Sequence, residues 1–133
     1  MTEEQKSKNI EYWKKGSLSD LSAALDISNL AKKHAHSLFF LHLSIEKSLK
    51  ALFVQLNGNF APLTHNLLML VQKCELNIEP SDTLILSEIN EFNLETRYPN
   101  EIDDLLIIAT EEFTLKYLNE GQRIQKWILS QLK

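Results

Sequence analysis

Large apolar side chains are densest between His34 and Gly58, a segment with no Gly or Pro before its last residue. When its residues are placed at steps of about 100° around a helix, six apolar positions fall in one sector about 80° wide. These positions are Leu38, Leu41, Ile45, Leu49, Leu52 and Leu56. Three polar residues mark a face that we expect to meet solvent, namely Ser44, Ser48 and Gln55. The pattern predicts a central helix over residues 34–56 with the apolar sector as its core face.

Apolar residues at helical spacing predict further helices on both sides of this segment. A first helix is predicted over Glu3–Lys32, with a kink or restart at Gly16. Thr64 is the predicted N-cap of a short third helix. Ser81 is the predicted N-cap of a fourth helix, and Thr110 precedes two acidic residues that suit the start of a last helix.

The stretch between the fourth and last helices allows two interpretations. Pro99 disfavours α geometry at the residue before it, so Arg97–Pro99 is predicted to be extended or a turn. The apolar run Leu105–Ile108 is too short to assign, and it is either extended or the start of a helix.

The chain has three Gly, three Pro and no visible repeat or linker. We therefore predict one all-α domain over residues 1–133 with about five helices.

The composition argues against some classes of protein, such as strongly basic nucleic-acid binders and membrane proteins. The 133 residues carry a net charge of −4, which argues against wholesale electrostatic binding of DNA or RNA but permits a local basic patch. Cys74 is the one cysteine, so no internal disulfide can form. No apolar run approaches the roughly 18 residues of a membrane span, and the N-terminal residues contain no apolar signal core. We expect a cytoplasmic protein that does not enter a membrane.

A line of polar residues runs along the predicted central helix. His42, Glu46 and Lys50 recur at every fourth position, and Phe39 and Phe53 flank them. Charged groups among aromatic side chains lie at an interface, in a cleft, or paired inside the protein. This line of polar residues is therefore a candidate functional site.

The same residues belong to a motif that resembles a known family. His42–Leu52 reads HLSIEKSLKAL, which is similar to the H-L-A-x-E-K-x-L-K-A-L signature of HEPN domains, the nucleotide-binding domains of higher eukaryotes and prokaryotes. Thr64–Leu67 (THNL) and Glu95–Pro99 (ETRYP) agree with the family in order and spacing. The resemblance spans nearly the whole chain.

This resemblance implies a five-helix bundle on an up-down helix core, usually a homodimer. Prokaryotic members often resemble partners of a minimal nucleotidyltransferase encoded beside them, many in toxin–antitoxin pairs. Some members of the family are ribonucleases. No cofactor is expected.

The ribonuclease branch uses an Arg followed, after four to six residues, by a His. The pair suits RNA cleavage because His can move the 2′-hydroxyl proton and Arg can stabilise the charge of the transition state. This chain has two arginines, Arg97 and Arg123, and its four histidines all precede both. The motif is absent, which favours a noncatalytic protein. A divergent ribonuclease toxin that uses other residues is the alternative enzyme.

A metal site is a weaker hypothesis for the central helix. His42 and Glu46 are one turn apart and could bind one metal ion, with His65 as a third ligand. No H-E-x-x-H arrangement is present, however, and no metal is expected. His34 and His36 are predicted to be surface residues.

The favoured hypothesis is an anion or nucleotide site where the central helix, the Thr64 turn and the Arg97 turn meet. His65 is expected in the first turn of its helix, where free N–H groups attract phosphate, and Tyr98 could stack on a base. Two lysines one turn apart could bracket a phosphate. The candidate ligand-binding residues are His42, Glu46, Lys47, Lys50, His65, Arg97 and Tyr98.

A structural explanation of these residues stays open. Arg97 could pair with Glu46 in a buried bridge, Thr64 could simply cap its helix, and Tyr98 could simply shape a turn. The sequence thus predicts a noncatalytic, nucleotide- or nucleic-acid-associated partner of a nucleotidyltransferase. A purely structural helical interaction module is the remaining alternative. The expected partners are a nucleotide or RNA, a minimal nucleotidyltransferase and a second copy of the chain.

Overall fold

A computed structural model describes residues 1–133 as six α-helices without any strand. The helices are α1 (Glu3–Asp26), α2 (His34–Asn57), α3 (Leu67–Lys73), α4 (Pro80–Ile89), α5 (Pro99–Ile108) and α6 (Glu111–Ser130). The predicted all-α class is confirmed. The count exceeds the expected five because Leu105–Ile108 belongs to a separate helix, α5. No helix is both long enough and apolar enough to cross a membrane.

Helix α2 lies at the centre of the bundle, with α1 packed along it on one side and α6 on another. Five of the six predicted core positions are buried, namely Leu38, Leu41, Ile45, Leu49 and Leu52. The prediction for Leu56 is wrong, since 55% of its surface is exposed. It lies in the last turn of α2, where it lines a surface groove together with Trp127 of α6. Gly58 ends the helix as predicted, in the left-handed conformation with φ of 64°.

The predicted solvent face of α2 is also wrong. Ser44 and Ser48 are completely buried, and Gln55 is partly buried. Serine is small enough to let α1 approach closely, and Ser17 Oγ on α1 donates to the Ser44 carbonyl oxygen at 2.6 Å. Ser48 Oγ donates to the Ile45 carbonyl oxygen at 2.6 Å. This polar face is therefore a helix–helix contact.

Helix α1 runs without a break through Gly16, so the helix does not restart there. Thr2 begins the helix with a capping box in which its side chain accepts from the Gln5 N–H. A π-helical turn over Ile27–Ala31 follows, and the chain turns at Lys32 with φ of 57°. The lack of a side chain at Gly16 serves close packing, because an added Cβ would lie 2.9 Å from Lys47 Cδ.

The predicted caps of α3 and α4 are each displaced by two residues. Asn66 caps α3, because its Oδ1 accepts from the Leu68 and Met69 N–H groups at 3.1 and 3.3 Å. Glu79 is the cap position of α4, and Pro80 occupies the first helical position, where a missing N–H costs nothing. Asn66 also accepts from Asn90 Nδ2 at 3.0 Å, which holds it at the cap of α3, whereas no side chain caps α4.

In the following segment the predictions for Arg97, Tyr98 and Thr110 are confirmed, whereas Pro99 is already the first residue of α5. Arg97 and Tyr98 are extended, with ψ of 148° and 157°, as a residue before Pro99 requires. Thr110 caps α6, and its side chain accepts from the Phe113 N–H at 3.2 Å. The extended segment turns the chain from α4 toward α5.

Gly121→Ala is expected to destabilise the protein by about 1–2 kcal/mol, because overpacking outweighs the gain in helix propensity. An added Cβ would lie 2.8 Å from both Leu41 Cδ atoms in the buried core. Gly16→Ala is the matched control, since its close neighbour is the movable stem of Lys47, and it is expected to cost less. Urea unfolding of both variants measures the difference. Equal losses would contradict the packing account of Gly121.

Candidate functional site

The polar line of α2 is buried in the bundle. The exposed fractions of His42, Glu46 and Lys50 are 0%, 3% and 5%. Glu46 Oε2 accepts from Lys50 Nζ at 3.1 Å. The Lys50 ammonium also lies 5.1 Å from the ring centroid of Trp13 on α1, a geometry that suits a cation–π contact. The two charges thus neutralise each other inside the protein.

The same α2 face holds His65 at two points. His65 lies in the loop before α3 and not in the first helical turn as predicted, because α3 begins only at Leu67. Glu46 Oε1 lies 2.9 Å from His65 Nδ1, and a carboxylate can only accept, so Nδ1 carries the hydrogen. His42 Nε2 lies 2.9 Å from the His65 carbonyl oxygen, so Nε2 donates there. Both the ring and the backbone of His65 are therefore fixed by residues one helical turn apart. The His65 side chain remains 48% exposed.

His42 is a neutral positioning group. Its pKa is lowered to about 4, mainly by burial and to a lesser extent by His65 and Arg97, against the opposing effects of the Glu46 carboxylate and the hydrogen bond to the His65 carbonyl oxygen. Its Nε2 hydrogen is committed to the His65 carbonyl oxygen. With no exposed surface, His42 cannot contact a ligand in the present conformation.

The predicted Arg97–Glu46 bridge does not form, because Glu46 already pairs with Lys50 and His65. The Arg97 guanidinium instead joins the end of α4 to the start of α5. Its Nη2 lies 3.0 Å from Glu91 and donates to the Asn90 carbonyl oxygen at 3.1 Å. Its Nη1 lies 3.6 Å from Glu101.

His65 and Arg97 line one groove of about 480 Å³ between the loop before α3 and the segment after α4. Nearly all of its lining side chains are polar. They are Thr64, His65, Asn66, Asn90, Glu91, Asn93, Thr96 and Arg97, with Leu63 as the one apolar member. Such a volume is typical of small-molecule sites.

Three asparagine side chains line this groove and form hydrogen bonds along it. Asn90 Oδ1 accepts from the Leu67 N–H at 2.8 Å, and Asn90 Nδ2 donates to Asn66 Oδ1 at 3.0 Å. Asn93 Oδ1 accepts from the backbone N–H groups of Glu95 and Thr96 at 2.9 and 3.3 Å. Asn93 Nδ2 is buried and has no hydrogen-bond partner within the protein. The loop and the end of α4 are thus joined by fixed amide groups.

The structure brings only part of the predicted set to the groove. Lys47 points to α1, where its Nζ lies 2.7 Å from Asp20. Lys50 is enclosed beside Glu46 and Trp13, so the predicted lysine bracket does not form. Tyr98 is 75% exposed and lies outside the groove lining. His42 and Glu46 contact His65 from inside the bundle without lining the groove. His65 and Arg97 are the predicted residues that line it.

Sequence reasoning missed the three groove asparagines Asn66, Asn90 and Asn93. Their signal is local: each stands where a helical turn begins or ends, a position that favours Asn. The structure shows no group of three or more His, Cys, Asp or Glu side chains that could hold a metal ion. The amide, hydroxyl and imidazole groups of the groove lining can donate and accept hydrogen bonds.

Comparisons with known proteins agree with this architecture. The family model described as the HEPN domain matches residues 10–132. The fold is similar to TT1696 from Thermus thermophilus, with 17% identity, a TM-score of 0.76, and coverage of 92% of this chain and 98% of that one. It is also similar to ST0689, an archaeal HEPN homologue, with 23% identity, a TM-score of 0.66, and coverage of 93% and 98%. No curated protein matches the sequence.

Proposed function

The chain belongs to the HEPN domain family, and we propose that it is a noncatalytic member that binds a nucleotide, free or within RNA, and partners a nucleotidyltransferase. One observation carries the ligand-binding part of the proposal. His65 is held by its ring and its backbone at the edge of a polar groove, although it lies in a loop. A loop residue fixed by two buried side chains is preorganised for contact.

The groove suits a nucleotide in size and chemistry. Its volume of about 480 Å³ is sufficient for a nucleotide, and its lining offers amide, hydroxyl, imidazole and carboxylate groups. Because Glu46 and His42 fix His65 before any ligand arrives, binding does not have to order that residue. Lower ordering cost favours affinity.

His65→Ala is expected to weaken binding of ribonucleoside monophosphates by at least about tenfold, which corresponds to the loss of about 1.4 kcal/mol. Isothermal titration calorimetry with each of the four monophosphates measures the affinity of wild type and variant. His36→Ala is the matched control, since His36 is exposed and lies outside the groove lining. It is expected to bind like wild type.

Two results would contradict the proposal. If no monophosphate binds the wild-type protein, or if His65→Ala binds as tightly as wild type, the groove is not the nucleotide site. The noncatalytic part fails separately if the purified protein cleaves RNA and His65→Ala does not. His65 is the informative residue for that assay, because His42 is fully buried.

The nucleotidyltransferase partnership rests on the resemblance of the chain to prokaryotic HEPN proteins, many of which occur in toxin–antitoxin pairs. The proposal expects a small nucleotidyltransferase in the neighbouring reading frame. Co-expression should then yield a complex that remains intact through size-exclusion chromatography. Separate elution of the two proteins at high concentration would count against the partnership.

We also propose that the protein forms a homodimer through α5. Three consecutive apolar residues of α5 are more than half exposed, namely Leu106, Ile107 and Ile108. The same helix carries Asp103 and Asp104, and Lys32 and Lys33 line a hollow beside Leu106. Around a two-fold axis, the acidic residues of one copy can meet the basic residues of the other, while the apolar residues are covered.

Ile107→Lys is expected to convert the dimer into a monomer while leaving the helical content unchanged, because a lysine would be buried at the proposed contact. Light scattering coupled to size-exclusion chromatography measures the mass. Leu84→Lys is the control, since Leu84 is an exposed residue of α4. A wild-type protein that stays monomeric at its highest attainable concentration, or a dimer that survives Ile107→Lys, would refute the α5 interface.

A further inference from the structure

The positive charges near the groove are already paired within the protein. Arg97 contacts Glu91 at 3.0 Å and Glu101 at 3.6 Å, and it also donates to the Asn90 carbonyl oxygen. Lys50 is buried beside Glu46 at 3.1 Å. Glu91 itself lines the groove and adds a negative charge there. A phosphate in the groove would therefore meet no unpaired Lys or Arg and would lie near a carboxylate.

The start of α3 offers no phosphate site either. Free backbone N–H groups at a helix start attract anions, but here side chains occupy them. The Leu67 N–H donates to Asn90 Oδ1 at 2.8 Å, and the Leu68 and Met69 N–H groups donate to Asn66 Oδ1 at 3.1 and 3.3 Å. The helix has seven residues, so its dipole is small as well.

The hydrogen-bonding capacity left in the groove is largely neutral. The Thr64 hydroxyl on the groove lining accepts from the Asn66 N–H at 3.1 Å, which leaves its own O–H available as a donor. His65 Nδ1 is bound to Glu46 at 2.9 Å, and its Nε2 makes no hydrogen bond within the protein. Leu63 supplies an exposed apolar side chain on the lining. Hydrogen-bonding groups beside an apolar side chain match the edge and face of a nucleobase.

We infer that the groove recognises the nucleoside portion of its ligand, the base and the ribose, and leaves the phosphates in solvent. The inference rests on the proposed nucleotide-binding function and specifies which part of the nucleotide is bound. Carbonyl oxygens and ring nitrogens of the base accept hydrogen bonds from donors on the groove lining, such as the Thr64 hydroxyl. The Glu91 carboxylate accepts from ribose hydroxyls, and the same carboxylate repels phosphate.

Calorimetric titration of the wild-type protein tests this inference without any variant. The probes are each of the four ribonucleosides, the matching 5′-mono- and triphosphates, and inorganic tripolyphosphate, at low and high NaCl. At least one nucleoside is expected to bind within about threefold of its triphosphate at either salt concentration, because phosphate charge contributes little. Tripolyphosphate is expected not to bind.

The possible failures are distinguishable. If affinity rises at least about tenfold from nucleoside to triphosphate and falls steeply with salt, the groove binds phosphate. The nucleoside inference is then overturned while the proposed nucleotide-binding function survives. Binding of tripolyphosphate alone would overturn both, and so would the absence of binding by every probe.

Discussion

Replacing Lys50 with Met is expected to lower the free energy of unfolding by about 3–5 kcal/mol, as when one member of a buried ion pair is removed. Lys50 is 5% exposed, and its Nζ lies 3.1 Å from Glu46. Methionine retains an apolar stem beside Trp13 but leaves the Glu46 carboxylate buried with only His65 as a direct partner. Urea unfolding near neutral pH measures the loss.

A double variant separates lost packing from an uncompensated charge. Glu46→Leu combined with Lys50→Met removes both charges, so it is expected to be more stable than Lys50→Met alone. Lys8→Met is a surface control, because the Lys8–Glu4 pair is largely exposed and contributes little. If Lys50→Met is no more destabilising than Lys8→Met, the Lys50 ammonium is not needed to compensate the buried charge of Glu46.

The stability of the protein is expected to fall by about 3 kcal/mol between neutral pH and pH 4 through His42 alone. Burial lowers the pKa of His42 from 6.5 to about 4, so the unfolded chain binds a proton more readily than the folded chain. The stabilisation is complete above the unfolded pKa of 6.5. It is lost progressively as the pH falls through the interval from 6.5 to about 4.

His42→Gln isolates this contribution from the titration of carboxylates. A glutamine amide can still donate to the His65 carbonyl oxygen but does not titrate. Urea unfolding across this pH range should show a shallower acid loss in His42→Gln than in wild type. His36→Gln, at an exposed position, should retain the wild-type slope. Parallel curves for wild type and His42→Gln would show that His42 is not held neutral by burial.

The central helix was the most predictable part of the fold. Its core face follows from apolar spacing, because α2 has neighbours on more than one side and large residues fill the contacts. The face with Ser44 and Ser48 was wrongly predicted to meet solvent, because α2 has a neighbour on that side as well. A small polar residue looks like surface in sequence but allows close approach of α1, and Ser17 then donates to the Ser44 carbonyl oxygen.

The candidate site was predictable only in part. The resemblance brought the His65 and Arg97 segments together, and the groove contains both. The predicted Arg97–Glu46 bridge does not form, since the two Glu46 oxygens contact Lys50 and His65 and Arg97 pairs with Glu91 and Glu101 instead. The Asn66–Asn90 contact joins residues 24 apart, and no local pattern specifies such a pair.

The direct test of the central claim is a side-chain NMR titration of the histidine rings with a ribonucleoside monophosphate. We predict that the ligand shifts the ring resonances of His65 at saturation, while those of the distant His36 stay in place. His42 should show at most a small secondary shift, because it contacts the backbone of His65 but has no exposed surface. Saturable binding that leaves the His65 ring unperturbed would contradict the claim that the groove beside His65 is the binding site.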